Sequence, residues 1–186
     1  PNRFGKLQNG IYQFLAISHD WRGSNEVMIQ FGTIPLVTRV AFENMLCGSR
    51  FWEQQSYWRS IRTEEVMKAT VAAAIPEWEN IVSSRLNAEN SHTGYIKTIK
   101  PLINDHQPYA AFWVACCFAA LGNYAESKNQ FIVAKQQFEQ IASDTPYAEW
   151  PAEHSQLCSY AIEKINSHKT GNLVREWEKF TFNSLK

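Results

Sequence analysis

Few residues of this chain have the types and spacing of a reaction centre. His19-Asp20 closes a run of apolar residues, and Trp21 and Arg22 follow directly. A histidine acts as a general base when a carboxylate orients it. His19 and Asp20 therefore define one candidate, a small hydrolase or transferase. Successive residues on a strand point to opposite faces, which works against pairing these neighbours. A strand end entering a polar turn is the stronger reading. The four cysteines, Cys47, Cys116, Cys117 and Cys158, form no CxxC pair. Cys116 and Cys117 sit in the most apolar stretch, where burial raises a thiol's pKa and makes it inert. A Cys–His hydrolase is disfavoured, and small buried thiols of a reducing cytosol are expected. The five histidines (19, 92, 106, 154, 168) are scattered without HExxH, HxH or HxxxH spacing, so no metal cluster is signalled. Asp105-His106 reads as turn sequence, and Phe4-Gly5-Lys6 is too short for a phosphate loop. No catalytic residue, metal or cofactor is expected.

Aromatic residues beside arginines are the more informative set. Trp21 and Arg22, then Arg50, Trp52, Tyr57 and Trp58, with Arg59 and Arg62 close behind, are residue types enriched at the energetic centres of protein interfaces. They are the expected partner-binding residues. The competing reading makes them a second core layer over a sheet. Aromatics beside arginine also suit single-stranded nucleic acid, but the charge balance argues against that.

These residues need elements to carry them. Residues 10–35 hold the one clear sheet signal. Residues 2–7 predict a short strand, and Gln8-Asn9-Gly10 a tight hairpin turn. Residues 11–19 are apolar on both faces, which predicts a strand covered on both sides. Residues 26–34 alternate, with Val27, Ile29, Phe31 and Thr33 on one face. Residues 37–45 begin β-branched and end helix-like, leaving strand and helix both open. Residues 49–61 are expected to fold over the sheet edge.

Helices follow. Thr63 is a good N-cap with Glu64 and Glu65 in the first turn. Met67, Val71, Ile75 or Ala74, and Trp78 form a stripe at helical spacing, and Pro76 predicts a kink or a second helix starting there. Residues 87–94 read as a polar loop. Pro108 opens a helix over 109–121, apolar all round and so central and buried, which Gly122 ends. Residues 124–142 align Phe131, Ala134 or Lys135, Phe138 and Ile141 along one helical face. A helix from Pro151 aligns Leu157, Ala161 and Ile165, and a last one from Asn172 buries Leu173, Val174, Trp177 and Phe180.

The totals fit this picture. The chain has 186 residues, 45% hydrophobic and 13% aromatic with seven Trp, enough for a sizeable core. Lys plus Arg equals Asp plus Glu at 18 each, so the basic excess of a phosphate-neutralising protein is lacking. Before and through Thr63 there are seven basic and four acidic residues, and after it eleven and fourteen, a mild swing of +3 to −3. No run approaches a membrane span. Residues 1–10 lack an apolar signal-peptide core, and the chain opens on Pro1, so an upstream element is expected.

Two resemblances add to this reading. Phe118, Leu121-Gly122, Ala134, Phe138 and Pro146 lie at the offsets of a tetratricopeptide helix pair, although Tyr124 is displaced by one residue. The pattern does not recur, and such repeats need about three copies, so a lone antiparallel helix pair is favoured over a helical interaction scaffold. Asn2-Arg3-Phe4, residues 10–17, Trp21, residues 27–32, Arg50-Phe51-Trp52, Tyr57-Trp58 and Thr63-Glu64-Glu65 resemble a bacterial family described only as a domain of unknown function. That resemblance spans residues 2–85, implies a bacterial cytosolic α+β protein, and supplies no active site.

The expectation is an α+β fold: a small antiparallel β-meander with an aromatic cover segment over 1–62, and a helical layer over 63–186 packed on it as one compact unit. The expected function is non-enzymatic binding of another protein in the bacterial cytoplasm, as an immunity-type antitoxin or regulator. Neither a membrane nor nucleic acid is the expected partner.

Overall fold

The computed structural model describes residues 2–19, 26–39, 58–60, 63–105 and 108–185. Among them are four strands, β1 (Asn2–Gln8), β2 (Ile11–His19), β3 (Glu26–Pro35) and β4 (Trp58–Ser60), hydrogen-bonded in sequence order as an antiparallel meander. The hairpin turn is the one predicted. Asn9 (φ 52°) and Gly10 (φ 73°) both take the left-handed conformation, the pattern of a two-residue type I′ turn whose twist matches its strands. The register it sets places Gln8 opposite Ile11 and Gly5 opposite Phe14; in the β2–β3 ladder Phe14 lies opposite Gly32 and His19 opposite Val27. Ile11 and Phe14, from opposite faces of β2, are both buried, as are Thr33 and Ile34 of β3. The end of the hairpin beside this turn is therefore covered on both sides, as its composition requires.

After β3 the chain makes a 3-10 turn, Leu36–Thr38, rather than starting a strand or an α-helix. The Leu36 N–H donates to the Gly10 carbonyl (2.8 Å), and the Thr38 hydroxyl donates to the Pro35 carbonyl (2.8 Å). Residues 40–45 lie outside the described residues.

Helix α1 (Glu64–Ala88) starts as predicted, with Thr63 Oγ1 accepting from the Val66 N–H (3.3 Å). It runs through Pro76 without dividing, so the two-helix alternative does not form. Met67, the first residue of the predicted buried stripe, is 41% exposed; the first turns of α1 stand clear of the core. The predicted loop over 87–94 is also corrected. α1 continues to Ala88, and α2 (His92–Ile99) begins after three residues. Ser91 explains this start, its hydroxyl accepting from the Gly94 N–H (3.2 Å) as an N-cap. A 3-10 turn, Lys100–Asp105, follows.

Helix α3 (Pro108–Ala120) is central and buried. Its Ala111, Phe112, Ala115 and Cys116 enter one apolar cluster, while Ala110, Val114 and Cys117 enter a second with Tyr95, Ile96 and Ile99 of α2. Two covered faces are why its sequence is apolar all round. Gly122 (φ 76°) ends it, and the Asn123 N–H reaches back to the Phe118 carbonyl (2.9 Å). Helix α4 (Tyr124–Asp144) returns against α3, pinned by the buried Ser127 hydroxyl donating to the Ala115 carbonyl (2.9 Å). Helix α5 (Trp150–Asn166) packs on α4.

Helix α6 (Thr170–Ser184) does not simply extend the stack. It packs chiefly against the Leu36–Thr38 turn, and less against α3 and α5. Its buried stripe is Thr170, Leu173, Trp177 and Thr181. The predicted burial of Phe180 is thus overturned: the helix starts two residues before Asn172, Thr181 closes the stripe, and Phe180 is 41% exposed. Trp177 stacks on Phe112 (ring centroids 5.7 Å, 29°) and meets Phe131 edge-on (5.9 Å, 85°). Burying a side chain of this size contributes several kcal/mol, on the order of the ~3–5 lost when one is truncated to Ala.

Candidate protein-binding surface

The residues expected to bind a partner are not placed by the structure. Trp21, Arg22, Arg50, Trp52 and Tyr57 lie outside the described residues, as do Asp20, Cys47 and His106. Of Trp58 the structure gives the backbone, paired with Met28 in the edge strand β4. Of His19 it gives the strand position opposite Val27.

A different aromatic group is assembled by the helical layer. Trp150, the first residue of α5, is 40% exposed. Its ring stacks on Tyr109 of α3 (5.6 Å, 18°) and meets Phe138 of α4 edge-on (6.2 Å, 86°). One turn along α5, His154 lies against the same rings, 5.0 Å from Tyr109 and 5.0 Å from Phe138. The His154 Nδ1 donates to the Trp150 carbonyl (2.8 Å), because a carbonyl can only accept; the neutral ring therefore carries its proton on Nδ1. Pro151 is buried and fits the first turn of α5, where its missing N–H costs nothing.

Arg39 acts on His154 through its charge. It ends the Leu36–Thr38 turn in the left-handed conformation (φ 51°). Its guanidinium lies over the ring of Phe180 from α6 (4.7 Å to the centroid), a cation–π contact. The electrostatics follow from this packing. Burial holds the His154 pKa below its usual value, and the Arg39 charge pushes the same way, against the Trp150 carbonyl and Glu153. Burial, with Glu153 adding to it, pushes the Tyr109 hydroxyl up to about 12. At neutral pH both rings are uncharged.

Nucleophiles are poorly served elsewhere. Cys116, Cys117 and Cys158 are free and fully buried. Burial pushes Cys117 upward, Cys158 to about 12, and Cys116 well above its usual range. Among the described residues no three potential metal ligands come together.

A second polar cluster sits where the sheet meets the α1–α2 corner. Gln13 Nε2 donates to the Leu86 carbonyl (2.7 Å) in the last turn of α1, and Asn9 Nδ2 to the Asn90 carbonyl (3.2 Å). Glu89, 1% exposed, accepts from the Thr33 hydroxyl. The Gln13 bond satisfies a backbone carbonyl at a helix end, and the three together fix the corner on the hairpin. Their role is to position.

Sequence reasoning passed over Tyr109, Trp150, His154 and Arg39. The available signal was Trp150 and His154 four residues apart at a helix start, one face of one turn. No known protein family, no characterised protein and no solved structure matches this chain. Among the described residues no helix is long and apolar enough to cross a membrane.

Proposed function

We propose that this chain is a non-enzymatic bacterial protein of the cytoplasm that binds another protein, as an immunity-type antitoxin or regulator. One observation carries the reading: Trp150 presents a large exposed ring that is already held in place by Tyr109 and Phe138. A pre-ordered tryptophan loses little side-chain freedom on binding, and Trp, Tyr and Arg are the residue types that dominate interface energetics. Trp21, Arg22, Arg50, Trp52, Tyr57 and Trp58 are proposed as further contacts of the same partner. Buried, protonated thiols support a binding role over a nucleophilic one.

The test is co-expression with the products of the reading frames beside its gene, followed by size-exclusion chromatography and titration calorimetry. One of these products is expected to form a stable complex and, if toxic alone, to be neutralised. Trp150→Ala is expected to weaken that complex by about thirtyfold, the ~2 kcal/mol of an interface hot spot. Absence of binding by every neighbouring product would overturn the proposal.

A further inference from the structure

The hairpin turn and the α1–α2 corner close on a histidine. The His92 ring faces Gly10: a Cβ added to Gly10 would stand 2.8 Å from its Cε1 and 3.4 Å from its Nε2. Nε2 is enclosed and has no hydrogen-bond partner. A neutral imidazole keeps one nitrogen as a bare acceptor, whereas protonation makes both nitrogens donors. The imidazolium would therefore hold a charged N–H at this contact with no acceptor in reach. Two more features oppose the charge. His92 is the first residue of α2 after its Ser91 cap, the positive end of the helix dipole, where a cation is disfavoured. Burial lowers the affinity of the ring for a proton in the same direction.

The charged groups about the joint do not offset this. Gln8, Asn9 and Gly10 of the turn and Gln13 of β2 carry no charge. The first turn of α2 has no acidic residue, and its basic residue, Lys97, lies in the last turn. The charged residue of the last turn of α1 is Arg85, a cation. The carboxylate of the corner is Glu89, 1% exposed and engaged with the Thr33 hydroxyl of β3.

The side-chain bonds across the joint are polar: Asn9 to the Asn90 carbonyl, Gln13 to the Leu86 carbonyl, and Thr33 to Glu89. Water replaces such bonds at small net cost. Among the described residues, neither apolar cluster of the helical layer includes a residue of β1, β2 or β3. The joint is thus a unit that can open while that layer stays packed.

We propose that this joint is an acid-operated latch, in which uptake of one proton by His92 releases the Asn9-Gly10 turn from the α1–α2 corner and uncovers Glu89 while α3 to α6 remain folded.

The test is nitrogen-15 relaxation dispersion on the whole chain between about pH 7.5 and 5, which reads the population of a minor open form. The Asn9, Gly10, Asn90 and His92 amides should report an open population that rises about tenfold per pH unit below about pH 6.5, as release coupled to one proton requires. The Ser127 and Phe131 amides of α4 should show no such exchange. In His92→Gln, which cannot take up the proton, the open population should be independent of pH. The wild-type His92 Cε1–H signal gives a measurement that needs no variant, and its midpoint should lie below 6.5. A midpoint at or above that value overturns the proposal. So does a pH dependence that survives His92→Gln, or one that vanishes in Glu89→Gln and makes the carboxylate the sensor. Exchange at the α4 amides with the same pH slope also overturns it, because the event would then be global unfolding.

Discussion

Replacing Gly10 by alanine tests how the hairpin turn and the α1–α2 corner are fitted together. Two costs are legible. Gly10 has φ 73°, a conformation that costs an L residue roughly 1–2 kcal/mol. An added Cβ would also lie 2.8 Å from Cε1 of His92, closer than carbon atoms pack. The His92 ring must then tilt away, although its Nε2 is already enclosed without a partner, at a cost of about 1 kcal/mol for a side chain forced off its rotamer. Gly10→Ala should thus lose about 2–3 kcal/mol. Gly122→Ala is the internal control: φ is 76°, but nothing lies within 4 Å of its Cβ, so only the backbone cost of roughly 1–2 kcal/mol applies. The assay is urea unfolding with unchanged m-values. In a His92→Ala background the extra cost at Gly10 should vanish, giving a coupling of about 1 kcal/mol. If Gly10→Ala costs no more than Gly122→Ala, or the coupling is zero, the turn and the corner are not in contact in the way described.

Two further outcomes are expected. In a Cys47→Ser background the remaining thiols, Cys116, Cys117 and Cys158, should not react with Ellman's reagent in the native protein and should all react in urea, because burial keeps them protonated and covered; native reaction of any of them would contradict the packing of α3 and α5. Stability should also fall on acidification. His92 and His154 have folded pKa values held below 6.5 by burial, so below about pH 6.5 the unfolded chain takes up protons that the folded chain resists. Their stabilising contribution is full above that pH and is lost as pH falls through the folded values. The denaturant midpoint should therefore drop more steeply between about pH 7 and 5 in the wild-type chain than in His92→Gln/His154→Gln; equal slopes would place both rings in solvent.

The readable parts of this fold are those fixed by short-range chemistry. Asn9-Gly10 specifies its turn, the period-two pattern of β3 specifies a strand, and Thr63, Pro108 and Gly122 mark helix boundaries through capping and missing donors. Helix α2 escaped because Gly94 and its β-branched neighbours are poor helix formers; it exists because Ser91 caps it and Tyr95, Ile96 and Ile99 have α3 to pack on. Phe180 was misplaced because a stripe ending in 177 and 180 looks as good in sequence as one ending in 177 and 181. The surface aromatic group was illegible for a stronger reason. Tyr109 and Trp150 are brought together only by the packing of three helices, and no local pattern states that a tryptophan at a helix start is half outside.

The packing of α6 on the Leu36–Thr38 turn has a consequence for synthesis. Trp177 and Val37 share one core, so the exit of the sheet is roofed by a helix synthesised long after it. Until Thr170–Ser184 emerges, Val37 and Phe112 have no cover on that side, and closing so long a loop is slow. The nascent chain thus carries an open apolar seam until that helix is made. A chaperone or protease would meet it there, and a stop codon before Thr170 would leave the seam permanently open.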